Sequence, residues 1–225
     1  PLNIARTPQG RPVIAQAGGS EPGMDMAART AEIVFSLASN IDRNRAFYDN
    51  VKRRMPAHGR DPDDLKIMPG IVINVGETEA EAKAKVDYLI DKMHPDVGLL
   101  MLSEFLEADL RDVALDKPFP MDRLPAAPKG SRALFDELVD FVRSGHTVGE
   151  LIRHYAEKHT GNGITGTPAQ IADFMEEWFE TRAADGFILM FPTLPSSLDD
   201  FVRLVLPELR RRGLFREDYE GKTLR

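Results

Sequence analysis

PVIAQAGGSEPGMDMAARTAEIVFS, residues 12–36, runs from a short apolar segment through a glycine-rich turn into a small-residue helical segment, then into a second apolar segment. Strand, turn, helix and strand in so short a span is the pattern of a βαβ unit, whose strands lie parallel and whose crossover is right-handed. The alternation continues outward. PVIAQA (12–17), EIVFS (32–36), KIMPGIVINVG (66–76) and GFILM (186–190) each read as buried parallel strands, being apolar or β-branched and followed by turn residues. Helical patterns separate them: Met24 to Arg29; Asp42 to Met55, with Ala46, Phe47 and Val51 on one side; and Glu79 to Met93, with Ala82, Val86, Leu89 and Met93 in one stripe. Thr78 with Glu81, and Thr167 with Pro168 and Gln170, carry the signature of capped helix starts. A final helix puts Leu198, Phe201, Val202, Val205, Leu206 and Leu209 on one face after a Ser196-Ser197 cap, and Pro207 should bend it. The fold class is therefore α/β.

The count of strands narrows this further. Four strand-helix units cannot close a (β/α)₈ TIM barrel, which takes roughly 250 residues before insertions. Between 94 and 166 the pattern turns helical around the proline-rich DKPFPMDRLPAAPKG, with no convincing strand, as in a lid or an oligomer contact. The 225 residues thus read as half a barrel, 1–225, with a helical insertion at about 94–166. The missing half is expected before Pro1, and strands 12–17 and 186–190 are expected to present unpaired edges.

Composition sets outer limits. A 42% hydrophobic content is ample for a packed core, and the absence of cysteine removes disulfides, thiolate metal sites and thiol catalysis. Any redox chemistry needs a borrowed cofactor. The net charge of −7, with basic and acidic residues interleaved, argues against a nucleic-acid partner. The longest apolar runs, such as VGLLML, fall far short of the roughly 20 residues of a membrane span. A cytoplasmic location is the default expectation.

In a parallel α/β sheet, ligands gather at the C-terminal ends of the strands, where the loop Ala17-Gly18-Gly19-Ser20 lies. Two glycines let backbone approach a ligand, and the amides of the following helix start, its dipole and the Ser20 hydroxyl suit a phosphate. A plain βα turn with Ser20 or Glu21 as N-cap fits the same spacing. Both readings stand at this level. GNGITG matches G-x-G-x-x-G through Gly161, Gly163 and Gly166, yet it follows a charged helical stretch instead of a strand, so it reads as the loop ahead of the Pro168 helix. The histidines give no metal site: His154 and His159 are off the i, i+4 spacing, and His58, His94 and His146 lie in polar surroundings. Arg210, Arg211 and Arg212 complement a helix C-terminus. Phe35, Met68 and Phe187 read first as core. Met190 and Phe191, at the mouth end of the last strand, are the candidates for facing a ring-shaped ligand. Arg111, Arg123, Lys129 and Arg132 could meet an anionic substrate, but the acidic residues around them favour a solvated surface.

The blocks PLNIARTPQGRPVIAQAGGSEPGMDMAARTAEIVFS, GTPAQIADFMEEWFETRAADGFILM and LVLPELRRRGLFREDYEGKTLR resemble the C-terminal half of flavin-dependent monooxygenases of the bacterial luciferase-like superfamily. Within it, the chain resembles the nitrilotriacetate monooxygenase component A group and its long-chain alkane and dibenzothiophene-sulfone relatives. The resemblance covers essentially the whole chain, more loosely in the middle. It implies a (β/α)₈ barrel, reduced FMN supplied by a separate NAD(P)H-dependent flavin reductase, O₂ as co-substrate, and oxygenation of a small organic substrate through a C4a-peroxyflavin. It also implies homo-oligomers. Position by position, Ala17, Gly18, Gly19 and Ser20 correspond to the cofactor-binding loop, with Gly19 where a serine is common. No catalytic residue is assigned. Acid-base groups near the flavin are implied for the early strands, so residues 1–225 alone are expected to be inactive. A deazaflavin-dependent hydride-transfer enzyme of the same superfamily is the runner-up, and a non-catalytic flavin-binding or assembly module is a third reading.

Overall fold

The computed structural model describes residues 3–37, 40–125, 132–160 and 163–223. Its first elements are β1 (Ala15–Ala17), α1 (Glu21–Thr30) and β2 (Ile33–Leu37), the βαβ unit read from residues 12–36. α1 begins where it does because the Ser20 hydroxyl accepts the Gly23 N–H at 3.3 Å, with Pro22 pre-set for the first turn. α2 (Ile41–Arg54) is capped by Asn40, whose side-chain oxygen accepts the N–H groups of Asp42 (2.9 Å) and Arg43 (3.2 Å). The long strand β3 (Lys66–Val75) follows, then α3 (Glu79–Asp91), α4 (Pro95–Leu106), α5 (Arg132–Arg143) and α6 (Val148–Thr160). The remainder is β4 (Gly163–Gly166), α7 (Pro168–Glu180), β5 (Ile188–Met190), α8 (Ser196–Asp200) and α9 (Leu206–Arg211).

Among the described residues every pairing between strands is parallel. Ala17 lies opposite Phe35, Phe35 opposite Met68, and β3 carries both β5 (Gly70 opposite Ile188) and β4 (Val75 opposite Gly166). β4 departs from the sequence expectation of a loop ahead of the Pro168 helix. Two glycines in four residues erase any strand propensity, and only the tertiary partner β3 stabilises the extended form. Gly161 lies outside the described residues. The predicted capping box at Thr167 is complete, its hydroxyl accepting the Gln170 N–H while the Gln170 side chain accepts the Thr167 N–H. At α3 the box is shifted by one residue: Thr78 accepts the Glu81 N–H (3.2 Å), but the Glu81 carboxylate reaches back to the Glu77 N–H (2.9 Å).

The chain forms two compact units, Pro1–Ala82 with Gly163–Arg225, and Lys83–Asn162. In the first, alternate residues Val34, Ile67, Ile71 and Ile73 are buried under α1, α2, α7 and α9 through Ala27, Ala28, Val51, Ile171 and Leu209. The opposite face of the sheet stays open: Ala15, Ala17 and Met190 are exposed, and Phe35, Met68 and Ile188 are half-buried. The helical second unit has its own core around Leu102, Leu106, Leu138, Leu151 and Tyr155. In α2 the buried face runs through Asn44 and Val51 with Phe47 half-buried, whereas Ala46 is exposed. The final helix also differs from expectation. Phe201, Val205 and Leu209 are buried, but Leu198 and Val202 are exposed, because a π-turn over Phe201–Val205 widens the coil ahead of Pro207. Proline lacks the N–H that a regular ladder requires there, and the widened turn shifts the apolar face.

At the N-terminal ends of the strands, Lys52 is buried against Asp185 with Nζ to Oδ2 at 3.1 Å, and it also donates to the Pro62 carbonyl at 2.8 Å. Asp185 in turn accepts the Tyr48 hydroxyl (2.9 Å) and the Ile67 N–H (2.8 Å). Burial first, then the Asp185 charge and its hydrogen bond, push the Tyr48 phenol up to about 12. The folded state therefore holds this proton more tightly than the unfolded chain, whose tyrosines titrate near 10. Its contribution to stability is complete below pH 10 and is lost as pH rises through 12. Tyr48→Phe is expected to flatten that part of the alkaline branch in urea midpoints measured from pH 9 to 12. Parallel pH profiles for the two proteins would count against this linkage.

Candidate functional site

The loop after β1 and the end of β2 meet at the C-terminal edge of the sheet. They enclose, with the first turns of α2, a cavity of about 410 Å³ lined by Ala17, Gly18, Gly19, Phe35, Ser36, Arg43, Asn44 and Phe47. That volume lies within the range of small-molecule sites, and the lining is mostly apolar and aromatic with a few polar groups, as such sites generally are. Gly18 has φ +152°, a conformation L side chains rarely adopt. Gly19 has open space where a Cβ would stand, with nothing within 4 Å. The loop thus presents bare backbone to the cavity. Ser20 turns its hydroxyl to the start of α1, as N-cap to Gly23, and is not part of the cavity wall. The capping role uses an oxygen lone pair, so the hydroxyl proton stays available to a ligand.

Phe35 owes its position to Gly70. A Cβ on Gly70 would come within 2.5 Å of Phe35 Cε2, so the ring lies across bare backbone between the glycine loop and Met190. Beside it Asn44, only 4% exposed, contacts Ser36 Oγ through a single long approach of 3.5 Å.

Residues 1–185 match the sequence model of the family described as Luciferase-like monooxygenase. The chain belongs to that family. Among curated relatives, nitrilotriacetate monooxygenase component A of Aminobacter aminovorans is 48% identical, over 100% of this chain and 50% of the relative. Among solved structures, EDTA monooxygenase from Chelativorans sp. BNC1 superimposes with a TM-score of 0.70 at 31% identity, covering 100% of this chain and 52% of that one. Riboflavin lyase, solved with modified FMN and riboflavin, gives a TM-score of 0.70 at 30% identity over 99% and 48%. The chain spans about half the length of the curated relatives it matches. As in these luciferase-like monooxygenases, the fold is α/β with a parallel sheet flanked by helices.

Other residues singled out from the sequence of this family member fall into structural roles. Phe191 packs on Phe201 (ring centroids 5.9 Å) in the core, and Phe187 lies among Phe174 and Trp178. Met190 is 38% exposed on the open face. His58 pairs with Asp25 (3.1 Å), His154 with Glu137 (3.0 Å), His146 with Glu150 (3.5 Å), and His94 caps α4. Arg111 is bound by Asp109 and Arg123 by Asp112, and the hydrogen bonds from the guanidinium groups hold each carboxyl below its usual range. Arg212 is clamped by Glu208, Asp173 and Glu176. Lys129 lies outside the described residues, as do the side chains of Arg132 and His159. Among the described residues, no helix is long and apolar enough to cross a membrane. Ser36, Arg43 and Asn44 were not anticipated. Their only sequence cue is that Asn40 opens a helix directly after a strand, which places the first turn of α2 at the same mouth as the glycine loop.

Proposed function

We propose that the protein is the oxygenase of a two-component system, taking reduced FMN from a separate NAD(P)H-dependent flavin reductase and using O₂ to oxygenate a small organic substrate. The glycine-lined cavity at the strand ends, in a member of the luciferase-like monooxygenase family, carries this reading. The open space over Gly19 and the Phe35 ring on its Gly70 shelf fit a phosphate joined to a flat ring. When bound, reduced FMN supplies the electrons that activate O₂. The chain's own residues do the rest. Ala17, Gly18 and Gly19 offer backbone to the phosphate, and the dipole of α1, the helix that Ser20 caps, favours the negative charge. Phe35 and Phe47 line the cavity with apolar surface and exclude water.

On this reading homo-oligomerisation and the reductase partner are inferred from the family. Because the chain spans half its relatives' length, the 225 residues alone are expected to give no product with reductase, NADH and O₂.

Gly19→Ala tests the site. Its methyl group meets no protein atom within 4 Å, so stability should be unchanged, while the methyl intrudes where a phosphate would rest. By quenching of flavin fluorescence, FMN affinity is expected to fall about tenfold, roughly 1.4 kcal/mol, with riboflavin binding unaltered. Unchanged FMN affinity in a normally folded variant would return the loop to a plain turn.

A further inference from the structure

We propose that Arg43 is the residue by which this site selects a phosphorylated flavin, an assignment that rests on the flavin reading of the cavity. Arg43 lines the cavity together with Ala17, Gly18 and Gly19. It stands in the first turn of α2, where its backbone N–H is taken by the Asn40 cap. A cation in that turn faces the positive end of the helix dipole, which is unfavourable. Its neighbour Arg45 relieves the same conflict by pairing with Asp42 at 3.8 Å. Among the described residues the Arg43 guanidinium has no such partner.

A second observation points the same way. Asn44, the next residue, is 4% exposed and lines the same cavity, and among the described residues its side-chain amide has one hydrogen bond, the 3.5 Å approach to Ser36 Oγ. An amide has two donors and an acceptor oxygen, so one long hydrogen bond leaves capacity for a ligand. Arg43 and Asn44 from α2 thus supply charge and a polar contact to a cavity whose other wall is bare glycine backbone. A guanidinium binds phosphate through two parallel N–H donors, which an ammonium cannot do.

Flavin-fluorescence titrations of the full-length protein with FMN and with riboflavin, at low and high salt, test this. The parent protein is expected to prefer FMN by tenfold or more, with the preference shrinking as salt rises. In Arg43→Gln the preference should drop to within threefold while the riboflavin constant stays fixed; Arg43→Lys should recover part of it. An intact FMN preference in Arg43→Gln overturns the Arg43 assignment and leaves the flavin reading standing. Equal weakening of both flavins overturns it too, because that marks a merely structural role. A parent protein that binds riboflavin as well as FMN, or neither, overturns both the assignment and the reading beneath it.

Discussion

Asp185→Ala is expected to cost about 3–5 kcal/mol, the range found when one partner of a buried ion pair is removed. The side chains of Lys52 and Asp185 are only 8% and 14% exposed. Truncating Asp185 strands the ammonium among carbonyl oxygens without its counter-charge, and leaves the Tyr48 hydroxyl and the Ile67 N–H without their acceptor. The chain's single tryptophan reports on the event directly, since Trp178 packs against Ala183 and Ala184, next to Asp185. Urea unfolding followed by its fluorescence should show a large drop in midpoint. Removing both charges with Lys52→Met and Asp185→Leu is expected to recover much of the loss, because the desolvation cost of the ammonium disappears with it. A double variant as unstable as Asp185→Ala would refute the stranded-charge account.

Gly76→Ala is expected to cost about 3 kcal/mol, the upper end of the usual overpacking range. An added Cβ would stand 2.4 Å from the Ala82 backbone nitrogen, 2.8 Å from the Thr78 carbonyl and 2.9 Å from Glu81 Cβ. Two of these three are backbone, and Ala82 is fully buried, so no side-chain rotation gives relief. The turn from β3 into α3 has to open, which strains the Glu77 N–H to Glu81 hydrogen bond and the Gly76 N–H to Gly166 carbonyl bond joining β3 and β4. Circular dichroism during urea unfolding measures the change. A loss below about 1 kcal/mol would mean that the turn yields more readily than close packing allows.

Among the described residues, four of the five strands are legible in the sequence because their signal is local. Each is a run of apolar residues short enough to be a buried strand and is followed by turn residues, and alternating helices then force parallel pairing. The caps at Ser20 and Thr167 were equally legible, since a cap is a contact between residues three apart. β4 was not, because Gly163–Gly166 becomes a strand only when β3 offers it a ladder.

The site divides along the same line. Its glycine loop announces itself in sequence, as AGGS between a strand and a helix. Its other wall does not, because Ser36, Arg43 and Asn44 stand some twenty residues further along the chain and no local pattern links them to Gly18. Phe191 and Met190, adjacent in sequence at a strand end, have opposite fates. The pleat sends one side chain to the Phe201 core and the other to the open face, and which goes where depends on register with β3. By itself the sequence determined a parallel α/β fold and a glycine turn at the mouth of β1, because periodicity and turn chemistry act over a few residues. Only the tertiary structure decided that Arg43, Asn44 and Phe35 face that turn across one cavity, because proximity between residues far apart in the chain is created by packing alone.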